Sequence, residues 1–266
     1  MKKFGIIGYP VKGSLSPKLF EAAYNGKYEY HTIEDKEFEN VFSIFLNEYA
    51  AINVTSPFKL NAYNSADILS KECKITSAAN ILVKKNGKIE AYNSDISGVL
   101  YCLEKCKKHS NGLIGKKSKV LVIGCGGAGR AAAYAALLFE MDISLINRTY
   151  EKALKLKEKL QSIDEGKSTT IEAYPFDKLQ EEVDKNDIII YNLPLKIDLL
   201  DNLKFEGKKY IIEAKYSEPA FAEIIKKYKE NIIYLSGEDW LIGQGIAGYK
   251  IMTGEEPNIE AMLKVI

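Results

Sequence analysis

The chain has 266 residues, of which 46% are hydrophobic and 27% charged, and these proportions are typical of a soluble globular protein with one large or two modest domains. Its 37 Lys and Arg residues nearly balance 36 Asp and Glu residues, so the composition gives no support to binding of nucleic acid or of a membrane surface. No apolar stretch is long enough to span a membrane, and Gly8 and Pro10 cut the first apolar run short, which favours a strand over a signal peptide.

The first hundred residues alternate predicted strands and helices. Ser16 and Pro17 are predicted to cap and start the first helix, because Pro fits the first helical position. Asn86 and Gly87 separate two runs of alternating residues, which predicts a two-residue hairpin. The predicted strands cover 4–9, 28–33, 51–54, 81–85 and 88–92, and the predicted helices cover 16–25, 36–49 and 95–107.

Polar side chains gather in the loops that follow the predicted strands. Open α/β sheets bind ligands beyond the carboxyl ends of their strands, so we expect substrate chemistry in the loops 8–17 and 53–59. Hydroxyls, amides, one lysine and one aspartate suit a polyhydroxylated, anionic small molecule, and two serines two residues apart could both bind one carboxylate. The polar candidates in these loops and elsewhere are Ser14, Ser16, Thr55, Lys59, Asn80, Asp95 and Gln244.

Lys59 and Asp95 are the candidate catalytic pair. Reduction of a ketone needs a hydride donor and a proton donor at the developing alkoxide, and a lysine ammonium can stabilise that oxygen and deliver the proton. A nearby aspartate would hold the lysine in place. Taken singly, Asp95 could be only a helix N-cap and Lys59 only a solvated loop cation. The surrounding polar loops favour the catalytic interpretation.

A dinucleotide-binding turn lies in the middle of the chain. The buried strand 120–123 opens into Gly124, Gly126 and Gly129, and a helix over 130–140 and a strand over 142–147 follow. In this strand–turn–helix–strand setting, G-x-G-x-x-G predicts a Rossmann-type unit whose helix N-terminus binds the phosphates.

The end of the next strand indicates which dinucleotide binds. An enzyme that uses NAD usually has an acidic residue there, whereas this chain has Asn147, Arg148 and Thr149, with Lys152 one turn further on. Because Arg148 can grip a 2′-phosphate with a bidentate fork, we expect NADP as the cofactor. The alternative is that Arg148 is an ordinary solvated cation.

The rest of the chain continues the α/β pattern. Cys102 and Cys106 lie four residues apart on a predicted helix and could share a metal, but with no matching cluster we expect buried free thiols, no metal and a reducing cytoplasm. We therefore predict two α/β domains, a substrate-binding and catalytic domain over 1–97 and an NADP-binding Rossmann domain over 98–237. The remaining predicted elements are a helix over 150–160 and strands near 171, 187–191, 210–213 and 232–235.

Taken together, the motifs resemble the shikimate dehydrogenase family. They include the Ser-x-Ser-Pro loop, the Asn-Val-Thr-x-Pro-x-Lys loop, the Ala-x-Asn turn, the Gly-rich turn followed by x-Arg-Ala, and Asn-Arg-Thr. The resemblance covers nearly the whole chain. The positions that match the family pattern, in order, are Ser14, Ser16, Thr55, Lys59, Asn80, Asp95, Arg130, Arg148 and Gln244.

The resemblance implies NADPH-dependent, reversible reduction of 3-dehydroshikimate to shikimate, a step in the biosynthesis of chorismate and the aromatic amino acids. It implies a mostly parallel N-terminal sheet with C-terminal helices over 238–266 packing back on it, a small-molecule substrate, no nucleic-acid or membrane partner, and a homodimer. The implied substrate ligands are Ser14 and Ser16 for the carboxylate, Thr55, Asn80 and Gln244 for ring hydroxyls, and Tyr216, with Lys59 and Asp95 as the catalytic pair. The implied cofactor residues are Gly124, Gly126, Gly127, Ala128, Asn147, Arg148, Thr149, Lys152 and Gly237.

Several positions depart from the family pattern. Ile96 stands where the family has Gly, Leu193 and Pro194 follow Asn192 where small residues are usual, and Glu213 replaces the usual Asp. Because Ile96 and Leu193 are bulky, the geometry of the nicotinamide end stays open. The choice between shikimate and quinate as substrate stays open for the same reason. A quinate/shikimate dehydrogenase and a non-catalytic cofactor-binding sensor of the same fold are the alternatives, and the intact Lys59 and Asp95 disfavour the sensor.

Overall fold

A computed structural model describes residues 2–164 and 169–266, and the chain divides into two compact units. Unit 1 comprises Met1–Ser97 and Leu241–Ile266, and unit 2 comprises Gly98–Trp240. The sequence analysis placed the second boundary three residues earlier, at 237/238. The observed boundary lies later because Trp240 packs on Gly98, where an added Cβ would lie 2.5 Å from the indole Cδ1.

Unit 1 is built on a six-stranded sheet with the order β2-β1-β3-β5-β6-β4. Three of its strand pairs are parallel, and β5 is antiparallel to both of its neighbours. The strands are β1 (Lys3–Gly8), β2 (Glu29–Glu34), β3 (Ala51–Val54), β4 (Ile68–Leu69), β5 (Ile81–Lys85) and β6 (Lys88–Tyr92).

The helices of unit 1 follow the predicted ones, with additions. The predicted hairpin turn forms, with Asn86 and Gly87 both at positive φ. The short strand β4 and two short helices were not predicted, because too few residues carry their periodicity. The helices are α1 (Ser16–Tyr24), α2 (Phe38–Glu48), α3 (Lys59–Asn64), α4 (Lys71–Thr76) and α11 (Ile259–Leu263), and α5 (Asp95–His109) and α10 (Gly237–Thr253) cross the unit boundaries.

The core of unit 1 lies where helix α2 packs its apolar face on the sheet. Val41 and Phe45 of α2 are fully buried with Ile7, Ile52 and Leu82 of the strands. A fully buried side chain of this size stabilises the fold by about 1.5–3 kcal/mol relative to its exposed state. This packing fixes the sheet whose strand ends carry the polar loops.

Unit 2 has a six-stranded, entirely parallel sheet with the order β12-β11-β10-β7-β8-β9. Read from the other edge, the strand order is that of a dinucleotide-binding fold. The point where the strand order reverses lies between the parallel neighbours β7 and β10. The strands are β7 (Lys119–Ile123), β8 (Asp142–Ile146), β9 (Ile171–Tyr174), β10 (Ile188–Tyr191), β11 (Lys209–Glu213) and β12 (Ile232–Leu235), and the helices are α6 (Gly127–Leu138), α7 (Tyr150–Ile163), α8 (Leu179–Lys185) and α9 (Ala222–Lys227).

The strands of unit 2 are buried on both faces, as their unbroken apolar sequences suggest. Val120 to Ile123 and Ile188 to Ile190 are all fully buried. Cys102 and Cys106 are buried free thiols of the same unit, and burial raises the pKa of Cys106 to about 12. Across residues 2–164 and 169–266, no helix has the length and apolarity needed to cross a membrane.

Candidate functional site

The loops that follow β1 and β3 lie side by side at the edge of the unit 1 sheet. The backbone N–H of Thr55 donates to the Ile7 carbonyl at 2.9 Å, and that of Tyr9 donates to the Ser56 carbonyl at 3.0 Å. Gly8 permits this approach, since an added Cβ would lie 2.3 Å from the Thr55 methyl carbon. In this sheet β1 lies between β2 and β3, so the two loops meet at a point where the strand order reverses.

Lys59 and Asp95 meet at this same edge. Lys59 Nζ lies 2.5 Å from Asp95 Oδ2, and the two side chains are 22% and 4% exposed. Lys59 is the first residue of α3, and Asp95 is the first residue of α5. The structure therefore excludes the interpretation of Lys59 as a solvated loop cation, because the ammonium is paired with a buried carboxylate.

The antiparallel hairpin brings Asn80 and Asp95 to the end of β3. Ile81 is paired with Asn53 on one side and with Tyr92 on the other, so the residues just outside the hairpin lie together. Asn80 Nδ2 donates to Asp95 Oδ1 at 3.3 Å. Asn80 is buried, and its Oδ1 accepts from the Ser94 backbone N–H at 2.8 Å.

Asn93 completes the support beneath Asp95. Its Oδ1 accepts from the Asp95 backbone N–H at 3.0 Å, while its Nδ2 donates to Thr76 Oγ1 and to the Ala78 carbonyl, both at 3.0 Å. Asn93 and Thr76 are buried. The Asp95 backbone is thus tied to the segment that precedes Asn80, so Asn93 fixes where the carboxylate can stand.

Ser14 and Ser16 lie in the loop after β1, and Ser16 is not the N-cap that the sequence suggested. The N-cap is Leu15, and Ser16 is the first helical residue of α1. Ser16 is buried, its N–H donates to Ser14 Oγ at 3.2 Å, and its carbonyl accepts from the Tyr249 hydroxyl at 3.1 Å. Pro17 sets this start, because Pro is favoured in the first turn of a helix.

Glu34 holds the first half of that loop. Its Oε2 accepts from the backbone N–H groups of Val11 at 2.6 Å and of Lys12 at 3.0 Å. These hydrogen bonds lower the pKa of the Glu34 carboxyl. Ser14 N–H then donates to the Val11 carbonyl at 3.0 Å, so the turn that carries Ser14 is built on the residue that Glu34 fixes.

Gln244 lies on the part of α10 that belongs to unit 1. It is half-buried and stands one turn before Gly248, where an added Cβ would lie 3.0 Å from Ser94 Oγ. Residues four apart share a helix face, so Gln244 lies on the face that meets the Asn80–Ser94 segment.

The Gly-rich turn of unit 2 joins β7 to α6. Helix α6 begins at Gly127, three residues before the predicted start, because the turn itself coils into the first helical residues. Gly124 has φ +98°, and an added Cβ at Gly129 would lie 1.7 Å from the Gly124 carbonyl oxygen. Both positions therefore require glycine.

The turn fits a dinucleotide. An added Cβ at Gly126 would meet no atom within 4 Å in the described part of the chain, so the approach to the helix is open at this residue. No side-chain hydrogen bond caps α6 among the described residues, which leaves the first N–H groups, including those of Gly127 and Ala128, available for phosphate. Within the same set of residues, Asn192 Oδ1 is buried without a hydrogen-bond partner beside this turn.

Asn147 and Arg148 have different surroundings at the end of β8. Asn147 is buried, its Oδ1 accepts from the Cys125 N–H at 3.0 Å, and its Nδ2 donates to the Thr149 carbonyl at 2.9 Å. Asn147 thus ties the Gly-rich turn to the Arg148 segment. Arg148, Thr149 and Lys152 are exposed, so their side chains are accessible to a ligand.

Leu193, a departure from the family pattern, packs over the Gly-rich turn. An added Cβ at Gly124 would lie 2.9 Å from Leu193 Cδ2. Leu193 is half-buried and packs against the core of unit 2. Ile96, the other bulky departure, is buried in α5.

Tyr216 lies in the loop after β11. The loop backbone is seated on Gly237, where an added Cβ would lie 2.6 Å from both the Lys215 carbonyl carbon and the Tyr216 nitrogen. Gly237 is the first residue of α10. Its lack of a side chain admits the loop, and this is a role that the sequence analysis did not give it.

Sequence reasoning missed the residues that hold the functional loops. Glu34 and Thr76 were not singled out, Asn93 was given no role of its own, and Glu213 was noted only as a departure. The Asn-x-Asp spacing of Asn93 and Asp95 was the one local signal, because an Asn side chain often bonds the backbone two residues on. Glu34 gave none, since its partners lie more than twenty residues away.

Comparisons with known proteins agree with the geometry. A model of the shikimate dehydrogenase substrate binding domain matches residues 6–82, and a model of shikimate / quinate 5-dehydrogenase matches residues 106–209. A shikimate dehydrogenase (NADP+) from Carboxydothermus hydrogenoformans is 30% identical, over 100% of this chain and 96% of its own length. The crystal structure of shikimate dehydrogenase from Aquifex aeolicus is 30% identical with a TM-score of 0.80, covering 100% of this chain and 97% of that chain. A shikimate dehydrogenase crystallised in complex with NADP+ is 27% identical with a TM-score of 0.80, covering 100% of this chain and 94% of that chain.

Proposed function

This chain belongs to the shikimate dehydrogenase family, and we propose that it catalyses the reversible NADPH-dependent reduction of 3-dehydroshikimate to shikimate, in the biosynthesis of chorismate and the aromatic amino acids. The resemblance found in the sequence is confirmed for the family and for the two-sheet α/β fold. The observation that carries the activity is the ion pair between the half-buried Lys59 and the buried Asp95 at the strand ends of unit 1.

Lys59 and Asp95 supply the proton chemistry. When bound, NADPH supplies the hydride. The Lys59 ammonium donates a hydrogen bond to the ketone oxygen, stabilises the negative charge that develops on it, and transfers a proton to it. Asp95 accepts from the same ammonium at 2.5 Å and so keeps Nζ in place, and Asn80 and Asn93 hold Asp95.

The substrate is held by neutral donors rather than by an arginine. Ser14 and Ser16 bind the carboxylate, and the loop that carries them is fixed by Glu34 and Tyr249. Asn80 is already bonded to Ser94 and Asp95, so its amide serves the catalytic pair as well as any ring hydroxyl it meets. Thr55, Gln244 and Tyr216 are the other proposed substrate ligands.

The cofactor is NADP. Gly124, Gly126, Gly127 and Ala128 form the phosphate-binding turn, and the relatives named for NADP(+) support this choice. Arg148, just before α7, and Lys152, in its first turn, are both exposed and bind the 2′-phosphate, while Asn147 and Thr149 shape the segment that carries them. Gly237 contributes by leaving room for the backbone of the loop that carries Tyr216.

The state of the cysteines indicates the cellular compartment. All four cysteines are buried free thiols, which supports a reducing compartment, the cytoplasm. A homodimer stays a prediction, which sedimentation of the purified protein would check.

One set of assays tests the activity. The purified enzyme is given shikimate or quinate with NADP or NAD, and reduced cofactor is followed by its absorbance. We expect the highest kcat/KM for shikimate with NADP. Higher kcat/KM for quinate would support the quinate alternative that the bulky Ile96 and Leu193 leave open. Binding of NADP without turnover of either substrate would support a sensor and contradict the proposal.

A further inference from the structure

Glu213 is a fully buried carboxylate at the end of β11 that the proposed chemistry does not use. Its Oε1 accepts from the Ala220 backbone N–H at 2.6 Å. Its Oε2 accepts from the Tyr234 hydroxyl at 3.0 Å and from the Phe221 backbone N–H at 3.4 Å. Three donors from two segments therefore converge on one side chain.

These bonds close the 214–219 loop, which carries Tyr216. Glu213 is the residue before the loop, and Ala220 is the residue after it, so the carboxylate joins the two ends. The loop backbone also contacts Gly237, where an added Cβ would lie 2.6 Å from the Tyr216 nitrogen. Glu218 within the loop has φ +51°, a conformation that needs support from its surroundings.

Burial of a carboxylate at this position costs desolvation free energy, which only its hydrogen bonds can offset. Ala220 and Phe221 belong to the apolar core of unit 2, and Tyr191 lies in the same core. An apolar side chain of similar volume would pack there without the cost of burying a carboxylate. Burial, together with the Glu213 charge, raises the pKa of Tyr191 to about 12 and also raises that of Tyr234. The Tyr234 hydroxyl therefore stays protonated and can donate.

We propose that Glu213 is a positioning residue that fixes Tyr216 for the substrate by closing the 214–219 loop. The inference rests on the proposed function, in which Tyr216 is a substrate ligand. The two oxygens of the one Glu213 carboxylate meet Ala220, Phe221 and Tyr234 together.

Hydrogen exchange tests the closure without substrate. In the full-length protein, Glu213→Gln keeps the length of the side chain but leaves one acceptor oxygen for three donors. We expect the Ala220 and Phe221 amides to exchange at least about tenfold faster than in the wild type. Glu182→Gln is the matched control, because Glu182 is also buried in unit 2, where it accepts from Ser144 Oγ at 2.8 Å and from Lys185. Exchange of these amides that is unchanged in Glu213→Gln would overturn the proposal.

Steady-state kinetics test the consequence. We expect Glu213→Gln to raise the KM for shikimate by about tenfold while the KM for NADP changes less than about twofold, and Glu182→Gln to leave both unchanged. In a Tyr216→Phe background, Glu213→Gln should add little to the loss of kcat/KM, because both changes remove the same contact. Additive losses, or an unchanged KM for shikimate, would contradict positioning of Tyr216.

Tyr234→Phe provides a milder variant if Glu213→Gln does not fold. It removes one of the three donors and leaves both backbone bonds, so we expect the same pattern with a smaller rise in the KM for shikimate. A wild-type enzyme without shikimate-dependent turnover would refute the proposed function instead, and the exchange experiment would still decide whether Glu213 closes the loop.

Discussion

Removal of the Lys59 ammonium is expected to lower kcat far more than it raises KM. Lys59→Met keeps most of the side-chain length and removes the charge, so the proton donor and the charge that stabilises the alkoxide disappear together. General acid–base assistance contributes about 10²–10⁴-fold, and we expect a loss of that order in kcat. The KM for shikimate should change little, because the lost interaction is strongest in the transition state.

The structure also gives the effect on stability. Asp95 is only 4% exposed on its side chain, and without Lys59 it keeps a side-chain hydrogen bond from Asn80 at 3.3 Å. The loss of a hydrogen bond to a charged group lowers the free energy of unfolding by about 1.5–3 kcal/mol. Because the Lys59 side chain is 22% exposed, water can reach the Asp95 carboxylate in the variant, and the loss should lie near the lower value. Asp95→Asn added to Lys59→Met should recover part of this stability, because no buried charge remains unpaired.

The assay combines turnover of shikimate and NADP with denaturant unfolding of the same variants. Lys27→Met is the control, since Lys27 also forms an ion pair in unit 1, 2.7 Å from Glu255, but on the exposed surface. We expect its kcat to be unchanged. Near-normal turnover in Lys59→Met, or small and additive losses in kcat for the two single changes and the double variant, would refute the catalytic assignment.

Three further predictions concern single residues of the two units. Arg148→Ala should weaken NADP binding about tenfold to a hundredfold and leave NAD binding nearly unchanged, and equal losses in titrations with both cofactors would count against the 2′-phosphate role. Gly126→Ala should weaken NADP binding without lowering thermal stability, because its Cβ would meet open space, whereas Gly129→Ala should unfold at lower temperature, because its Cβ would lie 1.7 Å from a carbonyl oxygen. Hydrogen bonds lower the pKa of folded Glu34, so its stabilising contribution is present above the ordinary value of 4.5 and is lost as the pH falls through the lowered pKa. Melting temperatures should therefore fall more steeply with acidification in the wild type than in Glu34→Gln, and parallel curves would contradict this linkage.

The sequence alone predicted those structural features that are determined by residues close together in the chain. The unbroken apolar run 120–123 predicted a buried strand of unit 2, because a strand covered on both faces has no polar side. Asn86 and Gly87 predicted the hairpin, since both residues adopt the positive φ that the tight turn requires. The glycine spacing after β7 predicted the dinucleotide turn, and the structure supplies the reason, which is the close approach of Gly129 to the Gly124 carbonyl.

Errors in the local prediction arose where two interpretations fit the same residues. Ser16 and Pro17 suit an N-cap followed by a first helical residue, yet the helix begins one residue earlier, at Ser16, and its N-cap is Leu15. Helix α6 was predicted to begin at Arg130, directly after the last glycine of the turn. It begins at Gly127, because the Gly-rich turn itself coils into the first helical residues.

Only the tertiary structure decided which groups meet. Lys59 and Asp95 are 36 residues apart, and the register of β5 between β3 and β6 brings them to one edge of the sheet. Glu34 and Glu213 find backbone N–H groups of distant or looped segments, and no pattern of neighbouring residues encodes such partners. Hydrophobic periodicity and turn chemistry act between residues close in the chain, so a single sequence determines the elements and the candidate residues. The pairing of a buried carboxylate depends on strand register and on exclusion of water, which exist only once the sheets have formed.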